Sequence, residues 1–224
     1  MRQPEPKGIP WIATRRAPST AGSWQASSAT TKPWDRHVTW AATAQVAKRL
    51  GLRVKAGVIE ADDDAMMLVS DLALYGRVAG SSRAIDRYAR AASGSLDAFD
   101  RKLLEALRRN WFSVLRLTAR HPVAGWYADD LLLSRTGLWL MNESLEQSAP
   151  AGGSLAIRLF EFGGFVLATG AAAPLTDTVL AGLRDSLWAQ RKPGALSDAE
   201  VITLYRLTMS LGLVARPKNA LDAG

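Results

Sequence analysis

Apolar residues recur at every third or fourth position through much of the first half of the chain, which is the spacing of one face of a helix. One such face spans residues 40–50, and Gly51 follows it as a residue typical of a helix end. Similar faces span residues 66–75, 85–92 and 96–107. The pattern therefore predicts a layer of helices in this half of the protein.

Polar residues that favour the start of a helix precede these faces. Asp62–Asp64 could be interpreted as a metal cluster, but consecutive helical residues point about 100° apart and do not converge on one ion. Their negative charge instead favours a helix N-terminus. Ser81 or Ser82 is predicted to cap the next helix and Ser95 the one after it, because a serine hydroxyl accepts a hydrogen bond from the first turn.

Beyond Asn110 the apolar period shortens to two, which is the spacing of a β-strand. The clearest signal is Gly163-Gly164 between two alternating runs, at residues 155–162 and 165–169. Tight hairpin turns need the left-handed backbone conformation that glycine adopts easily, so these runs predict a hairpin. With further short runs before it, the segment predicts four or five consecutive strands in an antiparallel sheet or a small barrel.

After Pro174 the helical spacing returns, and Ser197 with Glu200 forms a capping-box pattern at the start of the last helix. The predicted fold class is α+β, in which a helical layer packs on a small antiparallel sheet or partly closed β-barrel, with C-terminal helices and an extended N-terminal arm. The predicted segments are the arm at 1–36, a helical segment at 37–110, an antiparallel β segment at 111–173, a C-terminal helical pair at 174–216 and a frayed tail at 217–224.

Residues 1–36 carry no periodic apolar pattern, and their prolines exclude a continuous helix. Half of the eight tryptophans nevertheless fall within the first forty residues, whereas disordered segments are poor in aromatic residues. The formal net charge of +7 has the same location. Residues 1–60 hold ten Lys and Arg against three Asp and Glu, while residues 61–224 hold eighteen of each. A basic, tryptophan-bearing arm thus leads a charge-balanced body.

Such an arm predicts a non-enzymatic binding or assembly subunit, in which the arm docks on a partner macromolecule. A protein partner, or the protein's own body, is favoured. RNA or DNA is the alternative, because Arg and Lys pair with phosphate and Trp stacks on bases. A mobile tail and a targeting peptide are further alternatives. The candidate binding residues are Trp11, Arg15, Arg16, Trp24, Lys32, Trp34, Arg36, Lys48 and Arg49.

The sequence lacks the residues on which several chemistries depend. There is no Cys, which excludes disulfides, thiolate metal sites and cysteine nucleophiles, and the only two His are His37 and His121. No cofactor and no metal site are therefore predicted. No apolar run approaches the roughly 20 residues of a membrane-spanning helix, so no membrane span is predicted and a cytoplasmic location is expected.

A hydrolase or transferase is the alternative from a different class of protein. His121 and Asp130 could line a cleft, with His121 as the base and Asp129 or Asp130 as the residue that orients it. Ser134 or Ser144 would supply the nucleophile, but neither lies in a nucleophile-elbow pattern. A His before Pro at the end of a strand is also typical of a turn. The sequence therefore favours a binding protein over an enzyme.

Six stretches carry a resemblance that covers roughly residues 62–175. They are Asp71–Tyr75, Ala84–Tyr88, Leu103–Leu107 running into Phe112–Val114, Asp129–Leu132, Glu143–Ser148 and Gly164–Gly170. In these stretches the chain resembles a group of uncharacterised bacterial proteins in which a helical segment leads into a small β domain. Some members end in a Cys-rich metal-binding tail, which this chain lacks. The resemblance implies a fold of this kind and no particular activity.

Overall fold

A computed structural model describes residues 35–77, 82–188 and 194–212. Its elements, in chain order, are a 3-10 turn (Asp35–His37), α1 (Trp40–Arg49), β1 (Arg53–Lys55), β2 (Val58–Glu60), α2 (Asp63–Tyr75), α3 (Ala84–Ala92), α4 (Ala98–Arg108), β3 (Trp111–Arg120), β4 (Trp126–Asp130), β5 (Arg135–Met141), α5 (Glu143–Ser148), β6 (Ser154–Phe162), β7 (Phe165–Leu175), α6 (Asp177–Leu183), a π-helical segment (Arg184–Trp188) and α7 (Asp198–Ser210). Helices thus come first, a set of strands follows, and helices close the described chain.

Short polar side chains begin most of the helices. Asp62 caps α2 by accepting a hydrogen bond from the backbone N–H of Ala65 at 2.8 Å. Asp97 caps α4 in the same way, accepting from Asp100 N–H at 2.7 Å. The capping box predicted within Ser197–Glu200 is confirmed at the start of α7. The three consecutive aspartates therefore sit at a helix start, where their charge is favourable.

Two of the predicted helix caps are wrong. α3 begins after Arg83 without any side-chain cap, so Ser82 does not cap it, and Ser81 lies outside the described residues. Ser95 lies behind the end of α3, where its hydroxyl donates to Ala92 O at 3.2 Å. Asp97 caps α4 instead, because the helix starts two residues later than the apolar pattern suggests.

A two-stranded hairpin that was not predicted from the sequence interrupts the helical layer. β1 and β2 pair antiparallel with Val54 opposite Ile59. Ala56 and Gly57 join them with φ angles of 50° and 77°, the left-handed pair of a type I′ turn. Ile59 is buried among the helices and anchors the hairpin to the body.

Five strands close into a barrel in the order β3-β4-β5-β7-β6. β3, β4 and β5 are consecutive antiparallel neighbours, and β6 returns to pair with β3, which is a Greek-key arrangement. β7 lies between β5 and β6 in the barrel. It is antiparallel to β6 and parallel to β5, and Leu140 of β5 is opposite Val166 of β7. The predicted α+β class is confirmed. The sheet is mixed rather than purely antiparallel. β7 closes the barrel by pairing with β5, and these two strands run in the same direction.

Buried apolar residues form three clusters. One fills the barrel interior and includes Leu115, Leu140 and Ile157. The second lies between the outer surface of β3, β6 and β7 and the helices α1, α2, α6 and α7. The third lies between α3, α4 and the β6–β7 hairpin. The helices therefore pack mainly on the β6–β7 side of the barrel. Among the described residues, none of the helices combines the length and the apolar character needed to cross a membrane.

Candidate aromatic binding site

The outer surface of β4 and β5 presents aromatic rings. Side chains alternate along a strand, so Trp126 and Leu140 are buried in the barrel while Tyr127 and Trp139 lie on its outer surface. Tyr127 and Trp139 are also opposite each other in register, which makes them neighbours. Because the helices pack mainly on β6 and β7, this pair stays accessible: Tyr127 is 36% exposed and Trp139 is half-buried.

His121, which follows β3, completes the site. Its ring stacks on Trp139 with a centroid distance of 4.0 Å and an interplanar angle of 13°. It also meets the Tyr127 ring at 4.8 Å in an edge arrangement. Phe165 of β7 contacts Trp139 at 5.5 Å. We refer to His121, Tyr127 and Trp139 as the aromatic face.

The loop at residues 121–125 is held in place by hydrogen bonds that also orient the rings. The His121 N–H donates to Gly125 O at 3.0 Å, and the Val123 N–H donates to His121 Nδ1 at 3.2 Å. Trp139 Nε1 donates to Ala124 O at 2.7 Å. Two of the three rings are therefore tied to one loop, so their stacking does not depend on the rings' mutual contact alone.

Gly125 is the residue on which this loop depends. Its φ angle of 79° lies in the left-handed region, and a Cβ at this position would lie 2.2 Å from Leu140 O. Any side chain would therefore push the loop away from β5. The close approach explains why a glycine stands immediately before Trp126.

Arg120 directly precedes His121 but is opposite Trp126 in the strand register, so its side chain is on the other face of the sheet from Tyr127 and Trp139. Its guanidinium lies 3.9 Å from the ring centroid of the buried Trp126, a cation–π contact, and Arg120 has no carboxylate partner in the described part of the chain. Arg116, further along β3, pairs with Asp177 at 3.3 Å. β4 carries two acidic residues, of which Asp129 faces Arg116 in the strand register and Asp130 is buried.

The structure describes three of the nine predicted binding residues. Arg36 is exposed in the 3-10 turn, and Lys48 and Arg49 are exposed in the last turn of α1. The main contacts of α1 are with α2 and β1, so these cations lie on other elements than the aromatic face. The remaining six lie outside the described residues: Trp11, Arg15, Arg16, Trp24, Lys32 and Trp34.

The structure does not bring His121 and Asp130 together into the cleft of the enzyme alternative. Arg120, the neighbour of His121, is opposite Trp126 at one end of β4, whereas Asp130 is the residue at the other end. Four residues of a strand span roughly 13 Å, too far for a base and its orienting carboxylate.

Asp130 also has a complete set of structural partners. Its carboxylate is buried and accepts hydrogen bonds from Trp111 Nε1 at 3.2 Å, from the hydroxyl of Ser113, and from the N–H groups of Leu132 and Leu133 at 3.1 and 2.9 Å. These bonds fix the turn between β4 and β5. The carboxylate holds the barrel together at this end and is not aimed at solvent.

A buried ion pair joins the helices to the barrel. Arg158 Nε of β6 lies 2.9 Å from each carboxylate oxygen of Asp71 in α2, and the two side chains are 6% and 2% exposed. The hydroxyls of Thr169 and Tyr205 donate to the same carboxylate at 3.1 and 3.2 Å, and Asn110 Oδ1 accepts from Arg158 Nη1 at 3.0 Å. Burial and the charge of Asp71 raise the pKa of Tyr205 well above its usual value, so the phenol stays protonated and keeps donating.

The fold and the site together define a helical body joined to a five-stranded Greek-key barrel with an aromatic outer face. No group of three or more metal-ligating side chains occurs in the described ranges. Comparison of the chain with models of protein families, with curated proteins and with solved structures finds no match. The resemblance to a group of bacterial proteins consequently stays a prediction.

Sequence reasoning missed the aromatic face, although part of the signal was present. Tyr127 and Trp139 lie in short strand-like runs of the sequence, and each has an apolar or aromatic residue on either side, which favours an outward position between inward neighbours. The stacking of His121 on Trp139 has no local signal, because it depends on the pairing of β4 with β5 and on the path of the preceding loop.

Proposed function

We propose that this protein is a non-enzymatic binding protein for single-stranded nucleic acid, and that bases stack on the aromatic face. The observation that carries the proposal is the set of rings formed by His121, Tyr127 and Trp139 on an accessible barrel surface. Stacking on aromatic rings combined with nearby positive charge is how proteins hold single strands without reading their sequence.

The position of the face on the barrel supports the same function. In five-stranded Greek-key barrels of the oligonucleotide- and oligosaccharide-binding type, ligands bind on the second and third strands and on the loops after the first and fourth strands. Here the second and third barrel strands are β4 and β5, the first loop is residues 121–125, and the later loop is the Gly163-Gly164 turn. The aromatic face lies on β4, on β5 and on the loop at residues 121–125. The two barrels correspond in the order of their strands and loops, and this shared topology supports the proposal by analogy.

The distribution of charge supplies the second component of the proposal. Residues 1–60 carry ten Lys and Arg against three Asp and Glu, and the rest of the chain is balanced. We assign the basic lead, with Arg15, Arg16, Lys32 and Arg36, to the phosphate backbone, and the barrel to the bases. Lys48 and Arg49, exposed on α1, extend the basic surface. Affinity should therefore fall as salt rises, because each neutralised phosphate releases counterions.

Replacing Tyr127 by Ala tests the role of the aromatic face. With a labelled oligonucleotide of about ten residues at low salt, we expect Tyr127→Ala to weaken binding by about 1–3 kcal/mol, the loss typical of one stacked base. Tyr127→Phe keeps the ring and should bind almost as well as the unaltered protein. Fluorescence anisotropy measures both. Leu211→Ala is the matched control, because Leu211 is also exposed but lies at the end of α7.

Two results would contradict the proposal. If the unaltered protein binds no oligonucleotide even at low salt, the arm's partner is a protein, as the sequence favours, and the aromatic face has another role. If Tyr127→Ala and Leu211→Ala both bind as the unaltered protein does, any nucleic-acid binding is through the basic arm alone.

A further inference from the structure

The rings of the aromatic face are continuous with a second group that ends on a helix. Trp139 contacts Phe165, and Phe165 is opposite Phe162 in the register of β6 and β7. Phe162 in turn meets Phe99 of α4 with a centroid distance of 5.4 Å and an interplanar angle of 87°. Phe99 is 49% exposed, although it is a large apolar side chain. The path of rings thus crosses the β6–β7 hairpin and leaves the barrel.

The backbone holds this second group in a defined place. Gly163 and Gly164, with φ angles of 66° and 87°, form the tight turn that sets Phe162 and Phe165 opposite each other. α4 packs on β6, and its buried residue Leu107 belongs to the same cluster as Phe160. Phe99 therefore sits at the border between a packed helix and solvent.

The start of α4 carries charges of both signs around Phe99, with Asp97 and Asp100 against Arg101 and Lys102. Lys102 follows three residues later and so lies on the same side of α4, exposed and without a carboxylate partner in the described part of the chain. Asp97 accepts a hydrogen bond from Asp100 N–H at 2.7 Å as the helix cap, and Asp100 directly follows Phe99. An exposed ring with an unpaired ammonium one turn away matches a base with its phosphate.

We propose that Phe99 and Lys102 of α4 form a second nucleotide subsite, so that a single strand runs from the aromatic face across the β6–β7 hairpin to α4. This inference rests on the proposed function and deepens it. A base stacks on the exposed part of Phe99, and Lys102 neutralises the adjoining phosphate. A strand that reaches both subsites is longer than one that fills the aromatic face alone, and barrels of this size take about four or more nucleotides.

The test compares two oligonucleotides of the same base composition, of about three and about eight residues. We expect the unaltered protein to bind the longer one about tenfold more tightly, which is the contribution of one further stacked base. Phe99→Ala should abolish that gain while leaving affinity for the shorter strand unchanged. Phe99→Trp should keep the gain. Lys102→Ala should make the affinity for the longer strand less sensitive to salt.

Met67→Ala and Arg206→Ala serve as controls, because both residues are exposed on other helices. If Phe99→Ala keeps the full length-dependent gain while Tyr127→Ala weakens binding of both strands, the second subsite is wrong and the proposed function stands. If the unaltered protein binds neither strand, both are wrong. Thermal unfolding of each variant confirms that the fold is intact, and Phe99→Trp preserves the test if Phe99→Ala unfolds.

Discussion

The ion pairs on the surface of α3 and α4 show how single residues set local stability. Asp86 accepts hydrogen bonds from Arg83 at 2.7 and 3.0 Å and from Arg108 at 3.0 Å. Arg83 also donates to the backbone carbonyl of Arg108 at 2.9 Å, which ties the start of one helix to the end of the other. The hydrogen bonds from Arg83, with those from Arg108, lower the pKa of Asp86 below its usual value.

This lowered pKa makes a contribution to stability that depends on pH. Because the pKa of Asp86 is lower in the folded protein, its contribution is fully present above the unfolded-state pKa of about 4 and is lost as the pH falls through the folded-state pKa. Asp86→Asn should therefore cost about 1 kcal/mol at pH 7 and show a smaller loss of stability below about pH 4. Urea unfolding at stepwise lower pH measures this. Asp185→Asn, at an exposed position, is the control; parallel pH profiles for Asp86→Asn and the unaltered protein would contradict the assignment.

Elements with a strong local signal were predictable, and elements that depend on distant pairing were not. The β6–β7 hairpin follows from alternation around two glycines, and the capping box of α7 follows from Ser197 and Glu200. The parallel pairing of β5 with β7 joins Leu140 to Val166 and is invisible locally, because it results from closing the barrel. The aromatic face depends on the pairing of β4 with β5 and on the path of the loop at residues 121–125, so its rings could be placed on strands but not brought together.

The turn of the β6–β7 hairpin allows a test at the scale of one element. Gly164 has a φ angle of 87°, and no atom lies within 4 Å of the point that a Cβ would occupy, so Gly164→Ala adds only backbone strain, about 1–2 kcal/mol. Gly163→Ala should cost more, because its methyl group would lie 3.3 Å from the Phe165 ring. Gly182→Ala in α6 should instead stabilise by up to about 1 kcal/mol, because an added Cβ would meet no atom within 4 Å beyond the adjacent residues and the helix's own backbone. Denaturant unfolding gives all three values, and equal losses for the three variants would contradict this ordering.

At the scale of the whole molecule, the helices and the barrel meet around a buried charge. Asp71 belongs to α2, Arg158 to β6 and Tyr205 to α7, so one cluster joins three separate parts of the chain. Arg158 is held between the rings of Tyr75 and Phe112, at 5.5 and 5.4 Å from their centroids. Its Nη2 is the one buried side-chain polar atom in the described residues that lacks a hydrogen-bond partner. The ion pair therefore specifies how the parts dock, at a cost in desolvation.

Removing both partners of this pair should cost less than the sum of the losses from removing each one alone. Asp71→Asn leaves the Arg158 charge buried without a counter-charge, and we expect a loss of about 3–5 kcal/mol in the free energy of unfolding. The double variant Asp71→Leu/Arg158→Met should lose less than the sum of its two single variants, by about 1–3 kcal/mol. Glu60→Gln, which breaks an exposed pair with Arg53 at 3.7 Å, should change stability by less than about 1 kcal/mol. Chemical denaturation of each variant measures these energies. Additive losses would mean that the two residues stabilise their own elements separately, whereas a coupled loss means that the ion pair itself joins α2 to β6.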